Sequence, residues 1–125
     1  MKLEEWTFKD FKPREFDSPD EPGSGLKMDR AFMTKLQALR QLVGRPMVIA
    51  SGYRTREHNR RLSQSVVDSS HMRGEAADIV CRDSALRMLL VDLGLNFFNR
   101  IGIGKNFVHF DDDVTKPQGV IWLYD

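Results

Sequence analysis

The sequence predicts an α+β fold in which helices pack on one face of a mostly antiparallel sheet. Apolar residues at helical spacing fill stretches before residue 95, and strand-type runs crowd into the last third. No regular strand–helix alternation of the kind that builds a parallel sheet connects them. At 125 residues the chain is long enough for one core and too short for two, so residues 1–125 are read as a single domain.

The elements follow in chain order. Trp6, Phe8, Phe11 and Phe16 form an aromatic N-terminal arm expected to dock on the core. Residues 17–26, DSPDEPGSGL, concentrate proline, glycine, serine and aspartate and read as a surface loop, so 1–26 is treated as arm and loop of the same domain. Phe32, Leu36, Leu39 and Val43 then lie on one helical face, with Asp29 as the cap and Gly44 as the terminator. Pro46 introduces PMVIA, a strand-type run that ends at SGYRT, and Thr55 caps a short helix over REHNRRL. Residues 63–70 are loop-like. AADIV after Gly74 reads as a buried strand, and Leu86, Leu89, Leu90 and Leu93 make a helix stripe from about Ser84 that Gly94 closes. RIGIG and FVHFD around Gly104-Lys105-Asn106 read as a hairpin, and VIWLY as one more strand.

Composition excludes several classes. With 19 basic and 18 acidic residues, a net charge of +1 gives no electrostatic reason to expect nucleic acid or an anionic membrane as partner. Cys81 is the only cysteine, so an intrachain disulfide and a cysteine-based zinc site are both excluded. The N-terminal stretch carries scattered charge and no apolar run of signal-peptide length, and no transmembrane stretch follows. The expectation is a monomer made soluble in the cytoplasm and delivered by some other agent if it acts outside.

The chemistry centres on SSHMRGEAADIV, residues 69–80. As one helix, this stretch would hold His71 and Asp78 about 10 Å apart, too far to share an ion. Gly74 and the AADIV run favour a turn entering a strand, which can bring the two side chains toward one point. In FVHFD the period of two places Val108 and Phe110 on one face and Phe107, His109 and Asp111 on the other. That second face is either a rigid platform for a site or a solvent-facing polar row continued by Asp112 and Asp113. Two histidines and a carboxylate suit a catalytic zinc with one open position, although the HExxH signature is absent.

SGYRT at 51–55, the SxHxxGxAxD element from Ser69 to Asp78, and IGIGKNFVHFD at 101–111 resemble the zinc D-alanyl-D-alanine carboxypeptidase family of peptidoglycan peptidases, and most closely its small single-domain phage and prophage members. The resemblance implies a fold of the Hedgehog/DD-peptidase type and one zinc ion held by His71, Asp78 and His109. It also implies that Arg54 grips a substrate carboxylate or the oxyanion, against the plainer reading of a structural arginine paired with an acid. Ser69 is expected either behind the zinc ligands or as a turn cap. Tyr53 is expected behind the ligands or at the substrate, His58 on the scaffold or the substrate side, and Trp122 and Tyr124 in a cleft wall or the core. Many relatives carry an acid three positions before the last zinc histidine, where this chain has Asn106. Asp111 is therefore the first candidate for general base and Glu75 the second, with loss of catalysis as the remaining possibility.

The implied activity is hydrolysis of a bond in the peptidoglycan stem peptide, by a D-Ala-D-Ala carboxypeptidase or an L-Ala-D-Glu type endopeptidase. Such an enzyme would act on the wall after release or within a phage particle. The alternative is a catalytically silent, zinc-containing wall-binding or virion module on the same scaffold, and Asn106 favours it.

Overall fold

A computed structural model describes residues 1–62 and 65–125. Part of the loop expected at 63–70 therefore lies outside the described residues. The helices are α1 (Arg30–Val43), α2 (Arg56–Arg61) and α3 (Ser84–Gly94), and the strands are β1 (Ile49–Ser51), β2 (Ala76–Val80), β3 (Arg100–Ile103), β4 (Phe107–Asp111) and β5 (Val120–Leu123). They form an α+β domain with one five-stranded sheet in the order β1-β2-β4-β3-β5. Every neighbouring pair is antiparallel except β3 and β5, which run parallel. Among the described residues, no helix is long and apolar enough to cross a membrane.

Local chemistry sets the helix ends. The Asp29 carboxylate accepts the Phe32 amide at 3.0 Å, and Gly44 ends α1 in the left-handed region at φ +74°. Thr55 caps α2 by accepting from the His58 amide. The end of α3 departs from expectation. Gly94 remains inside the helix, and Leu95 follows in right-handed conformation. The absent side chain serves packing instead, because a Cβ on Gly94 would meet the Phe110 ring at 2.4 Å. The strand expected over PMVIA is shorter than its apolar run: pairing begins at Ile49, and a register irregularity falls between Ile49 and Ser51.

One face of the sheet is the core. Ala77 and Ile79 of β2, Val108 and Phe110 of β4 and Ile101 of β3 are buried with Phe32, Leu36 and Leu39 of α1 and Leu90 of α3. Each fully buried Leu, Ile or Phe contributes on the order of 2 kcal/mol relative to exposure. In the N-terminal arm Phe8, Phe11 and Phe16 are buried in the core, and the Trp6 indole donates to the Phe11 carbonyl at 2.8 Å. The 17–26 loop is tied to the start of α2, where the Thr55 amide donates to Ser18 Oγ and the Thr55 hydroxyl to Asp20.

The other face carries a transverse row. Ser51 pairs with Asp78, Asp78 with His109, His109 with Gly102, and Gly102 with Trp122. Directly opposed residues on one face stand about 5 Å apart, so the register alone gathers an acid, an imidazole and an indole into one line.

Candidate metal centre

His71 reaches this row from a tight 3-10 turn, Ser70–Arg73, rather than from a helix running through 69–80. Ser69 caps the turn, its hydroxyl accepting the His71 amide at 3.2 Å, and it also lines the cavity beside the site. Gly74 ends the turn at φ +70°, and a Cβ there would stand 2.4 Å from the Lys27 carbonyl oxygen. Only glycine satisfies both demands, and the bend swings the chain into β2 with Asp78 on the site face.

The three side chains converge. His71, Asp78 and His109 each present a ligand atom, all within 4.8 Å of one another, and all three residues are buried. His71 Nε2 lies 3.3 Å from Asp78 Oδ1, and His109 Nδ1 lies 2.8 Å from the same oxygen. The other nitrogen of each ring is also engaged. His71 Nδ1 is 2.8 Å from the Gly52 carbonyl, which can only accept, so Nδ1 carries the proton and Nε2 faces Asp78 with its lone pair. His109 Nε2 is 2.7 Å from Asp111 Oδ2.

A divalent cation fits this donor set. Two neutral imidazoles and one carboxylate make the His/carboxylate trio of a zinc site and leave its complex with net positive charge. Both imidazoles have the outer hydrogen-bond partner that metal-bound histidines require, a backbone carbonyl for His71 and a carboxylate for His109. Burial lowers the pKa of His71 more than Asp78 raises it. Burial also works to lower His109, but Asp111 and Asp78 outweigh it and hold its pKa above the ordinary histidine value. For Asp78, burial is outweighed by His71 and His109, and the carboxyl sits far below the usual range. Asp78 is therefore ionised and His71 neutral, and a bound cation would replace the proton between His109 Nδ1 and Asp78.

Asp111 is one link further out. It is 1% exposed, its Oδ1 accepts Arg100 Nε at 2.7 Å and the Asp113 amide at 3.1 Å, and its Oδ2 meets His109. Arg100 is itself held by the Pro117 carbonyl, 2.6 Å from Nη1, and stacks 4.8 Å over the Trp122 ring. The solvent-facing reading of this strand face therefore fails, since His109, Asp111 and Asp113 are all buried.

Arg54 lines the cavity with its side chain 13% exposed. Nε donates to Ser51 Oγ at 3.1 Å, while the contacts to Asn59 Oδ1 and Asp78 Oδ2 are long, both 3.4 Å. The SGYR stretch thus contributes the Gly52 carbonyl that orients His71 as well as the Arg54 guanidinium.

The cavity measures about 600 Å³. Phe107, Trp122 and Tyr124 form an aromatic wall, with Trp122 and Tyr124 centred 5.4 and 6.2 Å from the His109 ring. Gly102 makes room for that wall, because a Cβ there would stand 2.6 Å from the Tyr124 ring and 2.8 Å from Trp122. Burial, then the Asp78 charge, pushes the Tyr124 phenol up to about 12, so it stays a donor at neutral pH.

Several expected residues are elsewhere. Tyr53 packs against the core with Lys27 over its ring, His58 lies half-buried on α2, and neither lines the cavity. Glu75 is also outside the cavity, and burial together with Asp112 raises its pKa. Asn106 is exposed in the β3–β4 turn. Arg100 and Lys116, which both line the cavity, were not singled out from the sequence. Alternation along β3 does put Arg100 on the same face as Gly102, whereas Lys116 sits in a connection with no periodic signal.

A family model described as Peptidase M15 matches residues 10–111, a span that holds all three candidate ligands. No curated protein matches the chain.

Proposed function

The chain belongs to the peptidase M15 family and is a metallopeptidase, and on that footing we propose that it hydrolyses one peptide bond of the bacterial peptidoglycan stem, with zinc as its metal. The observation that carries the reading is the buried convergence of His71, Asp78 and His109 at the floor of an open cavity. Zinc held by that trio supplies Lewis acidity, which activates water and polarises an amide carbonyl.

The protein's own groups do the rest. The Gly52 carbonyl keeps the proton of His71 on Nδ1, and Asp111 holds that of His109 on Nε2. With both its oxygens engaged, Asp111 is better suited to orient His109 than to accept a proton from water, and orientation is the role we assign to it. Arg54, whose contacts to Asp78 and Asn59 are long, has donors to turn toward a substrate carboxylate or the developing oxyanion. Tyr124, protonated at neutral pH, offers a second donor from the aromatic wall, which excludes water from one side of the bond. Action in the wall, after release or from a phage particle, belongs to the same proposal.

A second reading, a zinc-containing wall-binding module without turnover, draws on one observation: no acid takes the place of the exposed Asn106, and Asp111 is already engaged. Digestion of purified peptidoglycan by zinc-loaded protein, followed by mass spectrometry of the muropeptides, separates the two. Loss of a terminal D-alanine identifies a carboxypeptidase, and separation of L-alanine from D-glutamate an endopeptidase. Stoichiometric zinc with no new amino groups from any wall type establishes the silent module instead.

A further inference from the structure

Three cationic side chains line the cavity, and they differ in how far protein acceptors satisfy them. Arg100 is committed to Asp111 and the Pro117 carbonyl. Arg54 reaches Ser51, Asn59 and Asp78. Lys116 donates to Ser70 Oγ at 3.1 Å, and its nearest acid oxygen, Asp113 Oδ2, is 3.7 Å away, beyond hydrogen-bond range.

Asp113 meets it as an ion pair and not as a hydrogen-bond partner, and Oδ2, the oxygen nearer Lys116, is bonded by the Ser70 hydroxyl while the other donors fall on Oδ1. The carboxylate is 1% exposed and already accepts Arg73 Nη1 at 2.8 Å, the Thr115 hydroxyl at 2.6 Å, the Thr115 amide at 3.0 Å and the Ser70 hydroxyl at 2.7 Å. The Lys116 side chain is 17% exposed, so its ammonium is partly desolvated. Of its three N–H donors, one has a hydrogen-bond partner among the described residues. Because Ser70 immediately precedes the ligand His71, this charge is anchored at the turn that carries the metal site.

We propose that Lys116 is a specificity-determining residue that takes a carboxylate of the substrate, so that the enzyme prefers stem peptides with that carboxylate free over those with it amidated. The inference rests on the peptidase reading above. A partly buried ammonium with unused donors, facing a cavity that also has an aromatic wall, matches a ligand with an aliphatic body and an anionic branch. Two groups on a stem peptide supply that chemistry, the C-terminal carboxylate and the free carboxylate of the D-glutamate residue.

The test uses the full chain loaded with zinc and one synthetic stem pentapeptide in three forms: all carboxylates free, the C-terminus amidated, and the glutamate carboxylate amidated. In Lys116→Gln, KM for the free form should rise about tenfold with kcat nearly unchanged, the range expected for one charge-assisted hydrogen bond at a partly exposed site. One of the two amidated forms should abolish the difference between variant and wild type, which identifies the carboxylate, and Lys116→Arg should restore KM. An equal rise in KM for all three forms, or no rise for any, overturns the proposal. Calorimetric binding of the same peptides keeps the two ideas separable. A wild type that binds the free form but cleaves nothing refutes the peptidase reading, and Lys116 then stands or falls on whether Lys116→Gln weakens binding of that form alone. A wild type that neither binds nor cleaves refutes both.

Discussion

His109 has an acid at each ring nitrogen, Asp78 at Nδ1 and Asp111 at Nε2, and the two acids should respond differently to substitution. Asp78→Ala or His71→Ala removes a proposed ligand and should abolish stoichiometric zinc binding, read by metal analysis after gel filtration. Asp111→Asn tests orientation against proton transfer. An orienting Asp111 predicts zinc affinity weakened about ten- to a hundredfold, with turnover partly recovered in excess zinc. A general base predicts unchanged zinc affinity and no turnover at any zinc concentration. The face shared by His109 and Asp111 was legible from the alternation in FVHFD. The engagement of both Asp111 oxygens was not, because Arg100, which occupies Oδ1, arrives from another strand.

At the scale of elements, the helices were read well because each announces itself locally, α1 and α3 through an apolar stripe and α2 through its Thr55 cap. The hairpin was legible for the same reason. The parallel pairing of β5 with β3 was not, since it joins segments separated by a connection whose sequence carries no pairing signal. That pairing gives the site its wall, because Trp122 sits opposite Gly102 and Tyr124 follows. Gly102→Val should displace both rings while leaving the helix and sheet signals of circular dichroism intact. The expected result is a shift in tryptophan emission and a loss of about ten- to a hundredfold in kcat/KM, as a misplaced substrate wall produces.

For the whole molecule, two stability dependences follow. Asp113 ties the ligand turn to the connection after β4 through Ser70, Arg73 and Thr115. Burial works to raise its carboxyl, and hydrogen bonds from Thr115 and Ser70 outweigh it, lowering the pKa to about 2. A lowered carboxyl contributes stability above its unfolded value and loses it as pH falls through the folded one. Asp113→Asn should therefore cost about 1–3 kcal/mol at neutral pH. Its denaturation midpoint should converge with that of the wild type as the pH drops from about 4 toward 2. Zinc bound only by the folded chain should raise the thermal midpoint by roughly 10 °C at a hundredfold excess over Kd, an increment that a chelator removes and added zinc restores.

The transverse row has one more consequence. Asp78, His109 and Gly102 alternate along their strands with the buried Ile79, Val108 and Ile101, so chemistry and cohesion are opposite sides of one weave. A slip of one residue between any two of these strands exchanges the sides, putting charged groups into the oil and leucine-like surface into the cavity. On the proposed site, metal capture would therefore be an all-or-none report on threading. An insertion or deletion inside a strand should silence zinc uptake outright, whereas one in the turn around Lys105 should only detune it.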